Sequence, residues 1–274
     1  MALLFTSESY TEKNEVISFI EVDTYTHEAK TLKALISVPE GEGPFPVIML
    51  IHGGAFIGGN RARYDKSLFE HYLNQGIAVM SVEYRLVSEG GRHPEAIKDC
   101  MHNLHWLIDH SAEYRFDTSR VVLQGSSAGS YLAMMLALTS ERNNFQPDFG
   151  PYQDRKVSVK AVISSAAMYD WTVITNGDEY IGTYREDLTA SPKNLAQFGN
   201  CQHFLLLGGD SDTAWSPPGS AKLMKTNLVA AGKTCELHLK TNQTHPALYD
   251  DFKEFSKWAL PIIDVFLEEN VLIK

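Results

Sequence analysis

Five short segments of the chain are apolar almost without interruption: PVIMLI (46–51), IAVMSV (77–82), VVLQ (121–124), VKAVISS (159–165) and HFLLLG (203–208). A strand with one face in water alternates apolar and polar residues. A strand that does not alternate must be covered on both faces. Helix-period segments lie between these runs. Residues 64–75 end at Gly76, a good helix stop, and 95–114 carry an apolar stripe at Ile97, Met101, Leu104, Leu107 and Ile108. Strands of this kind alternating with amphipathic helices predict a mainly parallel sheet with helices on both faces, an α/β protein.

Three further segments bring the expected sheet to about eight strands. VISFIEVD (16–23) and TLKALISV (31–38) suit an early antiparallel pair, and the more amphipathic CELHLK (235–240) suits a sheet edge. Helices are expected over 127–141, over 216–232, where prolines open and Gly232 closes the pattern, and over 247–272. Pro261 falls inside the last of these, and proline breaks or kinks helices. No repeat and no Gly/Ser/Pro-rich linker divides the chain, so 1–274 reads as one domain. The stretch 168–200 is more polar, has no strand pattern and holds Trp171, Tyr180 and Tyr184. It reads as a small cap-like excursion over the carboxyl edge of the sheet, where α/β proteins bind ligands.

The formal net charge of -10 and pI near 5.5 argue against nucleic acid and anionic membrane as partners. Cys100, Cys201 and Cys235 are too few and too scattered for a disulfide framework or a zinc site, and reduced, buried thiols are the expectation. The apolar run Ala2–Phe5 is too short for a signal peptide and lacks a basic flank, so a cytoplasmic location is expected. A homodimer stays open, since nothing in the sequence selects a pairing face.

The strand VVLQ runs into Gly125-Ser126-Ser127-Ala128-Gly129, and an apolar helix pattern follows. Of the two serines only Ser127 has the G-x-S-x-G spacing, which puts a serine on a tight turn between strand and helix. In such a turn the strand end and the helix start come so close that side chains at 125 and 129 would collide. The helix amino terminus behind the serine offers unpaired N–H groups. A serine hydroxyl is a poor nucleophile until a base takes its proton, so a histidine and a carboxylate are expected at later strand ends. HFLLLG runs into Gly209-Asp210-Ser211-Asp212, and CELHLK into Thr241-Asn242-Gln243-Thr244-His245. His245 has the required place. Asp210 and Asp212 both remain candidates, with Asp212 favoured because it stands further along the loop. After PVIMLI comes His52-Gly53-Gly54-Ala55-Phe56, where glycines would expose main-chain N–H groups to a developing oxyanion. An alanine stands where a third glycine is usual, and it still supplies an N–H.

These motifs together resemble the α/β-hydrolase superfamily, and within it the esterase and lipase group related to hormone-sensitive lipase and the small bacterial carboxylesterases. The likeness also rests on Glu83-Tyr84-Arg85-Leu86, on His93-Pro94-Glu95-Ala96 with Asp99, on Ser191-Pro192, and on His245-Pro246. It runs from about residue 30 onward, and so covers most of the chain. The resemblance implies an α/β-hydrolase fold with Ser127 as nucleophile, His245 as base and Asp212 as acid. It implies an oxyanion hole from the N–H groups of Gly54, Ala55 and Ala128, with Gly53 beside them. It implies hydrolysis of carboxylic esters through an acyl-enzyme, with a small-molecule ester as partner and no cofactor or metal. The segment ahead of the first strands is short, which suggests a reduced cap and short acyl groups.

Phe56, Trp171 and Trp215 are candidates for lining a substrate pocket, and packing of the excursion onto the sheet is an equal reading of the two tryptophans. A sugar-ester deacetylase, an arylformamidase or a peptidase would use the same triad. A non-catalytic binding protein on this fold is a rival of another class, weakened by the presence of all three triad residues.

Overall fold

In the computed structural model, residues 18–142, 145, 157–245 and 252–273 are described. The Ala2–Phe5 run, the start of the first expected strand (16–17), Pro246 and the first residues expected in the last helix (247–251) lie outside them.

Among the described residues the sheet has eight strands: β1 Ile20–His27, β2 Lys30–Ser37, β3 Phe45–Ile51, β4 Ala78–Val82, β5 Phe116–Ser126, β6 Ala161–Ser165, β7 His203–Gly209 and β8 Thr234–Lys240. Their order is β1-β2-β4-β3-β5-β6-β7-β8. β2 is antiparallel to both β1 and β4, and every pairing from β4 to β8 is parallel. Among the described residues the α-helices are α1 Lys66–Asn74, α2 Glu95–Asp109, α3 Ser111–Tyr114, α4 Ala128–Thr139, α5 Asp178–Ile181, α6 Pro218–Ala230 and α7 Phe252–Leu267.

The unbroken apolar runs have the cause inferred from the sequence. Val47, Met49 and Ile51 of β3 belong to the core on one face of the sheet, which also takes in α2, α4 and α6, while Ile48 and Leu50 belong to the core on the other face, with α1 and α7. Consecutive strand residues point to opposite faces, so a strand covered twice must be apolar at every position. α4 carries this further. All its residues from Ala128 to Thr139 are buried, because the sheet covers one side and the 168–200 excursion, through Tyr169, Trp171 and Tyr180, packs into the same core from the other.

Several elements differ from the sequence reading in extent, and three differences have a clear local cause. β1 starts at Ile20 and runs to His27, because its end is set by the hairpin to β2, which pairs His27 with Lys30 across a turn with Glu28 at φ 49°. The pattern over 95–114 divides at His110 into α2 and α3. α7 continues through Pro261. Proline leaves the carbonyl four residues back without its donor, and both Pro261 and Lys257 are exposed, so water can serve that carbonyl. Among the described residues, no helix is long and apolar enough to cross a membrane.

Candidate active site

The parallel strands end on one edge of the sheet, and the loops that leave β3, β5, β7 and β8 carry the residues singled out by the sequence. β5 runs through Ser126 and α4 begins at Ala128, so Ser127 alone makes the turn. It does so at φ 54° and ψ -119°, a strained conformation for a residue with a side chain. The turn is held from outside: Ser127 N–H donates to the Ser165 carbonyl at the end of β6 (2.8 Å). Close approach explains the flanking glycines. A Cβ on Gly125 would lie 2.3 Å from the Gly129 carbonyl, and one on Gly129 would lie 1.9 Å from the carbonyl oxygen of Ile51.

Ser127 Oγ is 2.8 Å from His245 Nε2, and His245 Nδ1 is 2.7 Å from Asp212 Oδ2. All three side chains are buried. A carboxylate only accepts, so Nδ1 carries the imidazole proton and Nε2 is left to accept from the serine hydroxyl. The other oxygen of Asp212 accepts from the N–H groups of Ala214 (3.2 Å) and Trp215 (3.1 Å). Burial opposes the Asp212 charge. The hydrogen bond and charge of His245, with the backbone N–H groups of Trp215 and Ser216, outweigh it and hold the carboxyl below its ordinary value. Asp210 is exposed and accepts from the hydroxyl of Ser211 (2.8 Å), which separates the two aspartates that the sequence left open.

The loop after β3 lies against the start of α4, since the carbonyls of Ile51 and His52 are the atoms nearest Gly129. Gly54, Ala55 and Phe56 have φ of 127°, 53° and 64°. Glycine is required at 54, where a Cβ would lie 2.0 Å from the Gly58 carbonyl oxygen. Ala55 accepts the left-handed region at a cost of about 1–2 kcal/mol. Among the described residues, no partner takes the N–H groups of Gly53, Gly54, Ala55 or Ala128. His52 Nδ1 is 2.9 Å from the Gly53 carbonyl oxygen, and burial pushes the pKa of this imidazole down to about 4.

The pocket candidates are corrected in part. Phe56 and Trp171 are 0% exposed. Phe56 stacks on Tyr180 (centroids 3.6 Å apart), and Trp171 meets Tyr131 edge-on (5.4 Å), so these rings join the excursion to α4 rather than line an open surface. Trp215 is half-buried, with its ring centroid 6.3 Å from that of His245. Sequence reasoning missed Ser165, whose contribution is a backbone carbonyl and leaves no residue signature. It also gave no role to Tyr84, although the segment holding it was recognised. The Tyr84 hydroxyl donates to the His52 carbonyl (2.9 Å).

Residues 35–201, more than half of the chain, match the family model described as BD-FAE. Among curated proteins, the chain is 32% identical over 130 residues to "Probable carboxylic ester hydrolase LipM" of Mycobacterium tuberculosis, covering 47% of this chain and 29% of that protein. It is 33% identical over 92 residues to "Esterase LipI" of the same organism, covering 34% of this chain and 28% of that protein. The chain thus spans less than a third of either relative. A solved structure of a thermophilic esterase from the Planctomycetes species Thermogutta terrifontis superposes with a TM-score of 0.78 over 95% of both chains; at 20% identity it speaks for the fold. The eight-stranded sheet and the family match agree, and the chain belongs to the BD-FAE family and has the α/β-hydrolase fold of the esterases and lipases.

Proposed function

We propose that the protein is a serine hydrolase of carboxylic esters that works through an acyl-enzyme. The observation that carries this reading is the unbroken hydrogen-bond path from Ser127 Oγ through His245 to the buried carboxylate of Asp212. Ser127 Oγ attacks the ester carbonyl carbon as its proton passes to His245 Nε2. Asp212 holds the ring in the correct tautomer and stabilises the imidazolium that forms. The carbonyl oxygen becomes an anion facing the N–H groups of Gly54, Ala55 and Ala128, with Gly53 beside them. Removing one such donor typically lowers the rate ~10²–10³-fold. The bond to the alkoxy oxygen then breaks, and His245 returns its proton to the leaving alcohol. Water, deprotonated by His245, attacks the acyl-enzyme and releases the acid and the free serine. Every atom and proton in the cycle comes from the ester, water and these side chains.

Two further observations support the details. The relatives LipM and LipI are named as an ester hydrolase and an esterase, which favours esters over amides. Phe56, Trp171 and Tyr180 fill the space under the excursion with buried rings, which favours small acyl groups. Hydrolysis of p-nitrophenyl esters from acetyl to dodecanoyl, with Ser127→Ala as control, tests the proposal. The expected result is turnover of the short esters and its loss in the variant. Turnover that survives in Ser127→Ala would sink the mechanism, and a preference for the longest esters would sink the short-acyl reading.

A further inference from the structure

The oxyanion loop, His52 to Phe56, is bracketed by hydrogen bonds from a single neighbouring segment, residues 83–91, which follows β4. At one end the Tyr84 hydroxyl donates to the His52 carbonyl (2.9 Å), and the Tyr84 ring lies flat on the His52 imidazole (centroids 4.3 Å apart, planes 14° apart). At the other end Val87 N–H donates to the Phe56 carbonyl (2.9 Å). Between these two bonds lie the three successive positive-φ residues Gly54, Ala55 and Phe56. Strained backbone of this kind persists only where its surroundings over-determine it.

The bracketing segment is itself fixed from α2. Asp99, 0% exposed, accepts from the backbone N–H of Arg85 (2.9 Å) and from its guanidinium through Nε (2.9 Å) and Nη2 (2.8 Å). One helical turn on, Asn103 Nδ2 donates to the Glu83 carbonyl (2.7 Å). Two side chains of one helix therefore hold the residues on either side of Tyr84. The segment closes with Gly91 N–H donating to Leu86 (2.9 Å), where any Cβ would lie 1.6 Å from the Arg85 carbonyl oxygen. A buried ion pair could serve stability alone, but that would not call for one partner to grip the backbone N–H next to a tyrosine aimed at the oxyanion loop.

We infer that Tyr84 is a positioning residue for the oxyanion hole: its hydroxyl, held in place by the Arg85–Asp99 pair and Asn103, fixes the His52 end of the loop so that the Gly54 and Ala55 N–H groups are aimed before the anion forms. The inference rests on the serine-hydrolase reading above. Tyr84 acts through the loop and does not touch substrate. Its effect therefore belongs to the transition state and not to ground-state binding.

Tyr84→Phe removes the hydroxyl and keeps the ring on His52. With p-nitrophenyl acetate, kcat should fall about tenfold, less than for loss of a donor itself, while KM stays within about twofold. The affinity for a trifluoromethyl ketone, which forms a hemiketal oxyanion on the serine, should weaken by the same factor. Val87→Pro deletes the other bracketing N–H at a position where Leu86 already has the extended backbone that proline demands (φ -75°, ψ 166°), and it should give the same signature. Unchanged kcat and ketone affinity in both variants, or a change in melting temperature alone, would overturn the inference and leave the esterase reading standing. Wild-type protein with no Ser127-dependent turnover would bring both down together.

Discussion

Gly129 is the residue whose substitution should separate an ordinary helix position from a catalytic contact. It is the second residue of α4, where alanine in place of glycine would stabilise a free helix by about 1 kcal/mol. Here the new Cβ would stand 1.9 Å from the Ile51 carbonyl oxygen and 2.5 Å from that of His52. Real contacts of this kind do not fall below 3.0 Å, so β3 and α4 must part by about 1 Å. Both offending atoms are backbone at the entrance to the oxyanion loop, and neither can rotate away. Overpacking of this kind typically costs about 1–3 kcal/mol and more when rigid, which outweighs the gain in helix propensity. At about 2–4 °C per kcal/mol for a chain approaching this size, the melting temperature should fall by several degrees. Displacing one half of the proposed oxyanion hole by about 1 Å should lower kcat on the order of 10²-fold. Calorimetry and p-nitrophenyl acetate kinetics on Gly129→Ala read both effects. A melting temperature that rises with kcat within twofold of wild type would refute the close-approach reasoning.

Three other outcomes follow from the site and its surroundings. Burial pushes the pKa of both His52 and His93 down to about 4, so the folded protein keeps them neutral where the unfolded chain protonates them near 6.5. The unfolded state then binds more protons, and stability should fall as pH drops below about 6.5, by about 2 kcal/mol for each histidine near pH ~5; urea melts that stay flat across this range would contradict it. The depressed Asp212 adds a further loss below about pH 4, as the folded carboxyl finally protonates. Asp212→Asn should lower kcat ~10⁴-fold through the wrong imidazole tautomer, while Asp210→Asn stays near wild type. Equal losses in the two variants would contradict the assignment of the acid.

The parts of the structure legible in the sequence are those whose physical demand falls on residues near one another in the chain. β3 and β7 had to be apolar throughout because helices cover both faces, and Gly125 and Gly129 had to be glycine because one turn brings them together. Ser127, Asp212 and His245 could be placed because each follows a strand in turn. What escaped depends on partners distant in sequence. The end of β1 is set by its pairing with β2. The tie between Ser127 and Ser165 is a carbonyl, invisible in residue type. Phe56 and Trp171 look like pocket residues by composition. They are buried because Tyr131 and Tyr180 arrive from elsewhere to cover them. Tyr84 stood within a recognised motif, but its target, the His52 carbonyl, lies 32 residues earlier.

The central claim is that Ser127 is an activated nucleophile facing a formed oxyanion hole. Treatment with a slight excess of a fluorophosphonate, followed by intact-mass and peptide analysis, tests it directly. One adduct per chain is predicted, on the peptide holding Ser127, with loss of ester turnover in step with labelling and no adduct on Ser127→Ala. Wild-type protein that stays unlabelled, or a label that persists in Ser127→Ala, would contradict the account.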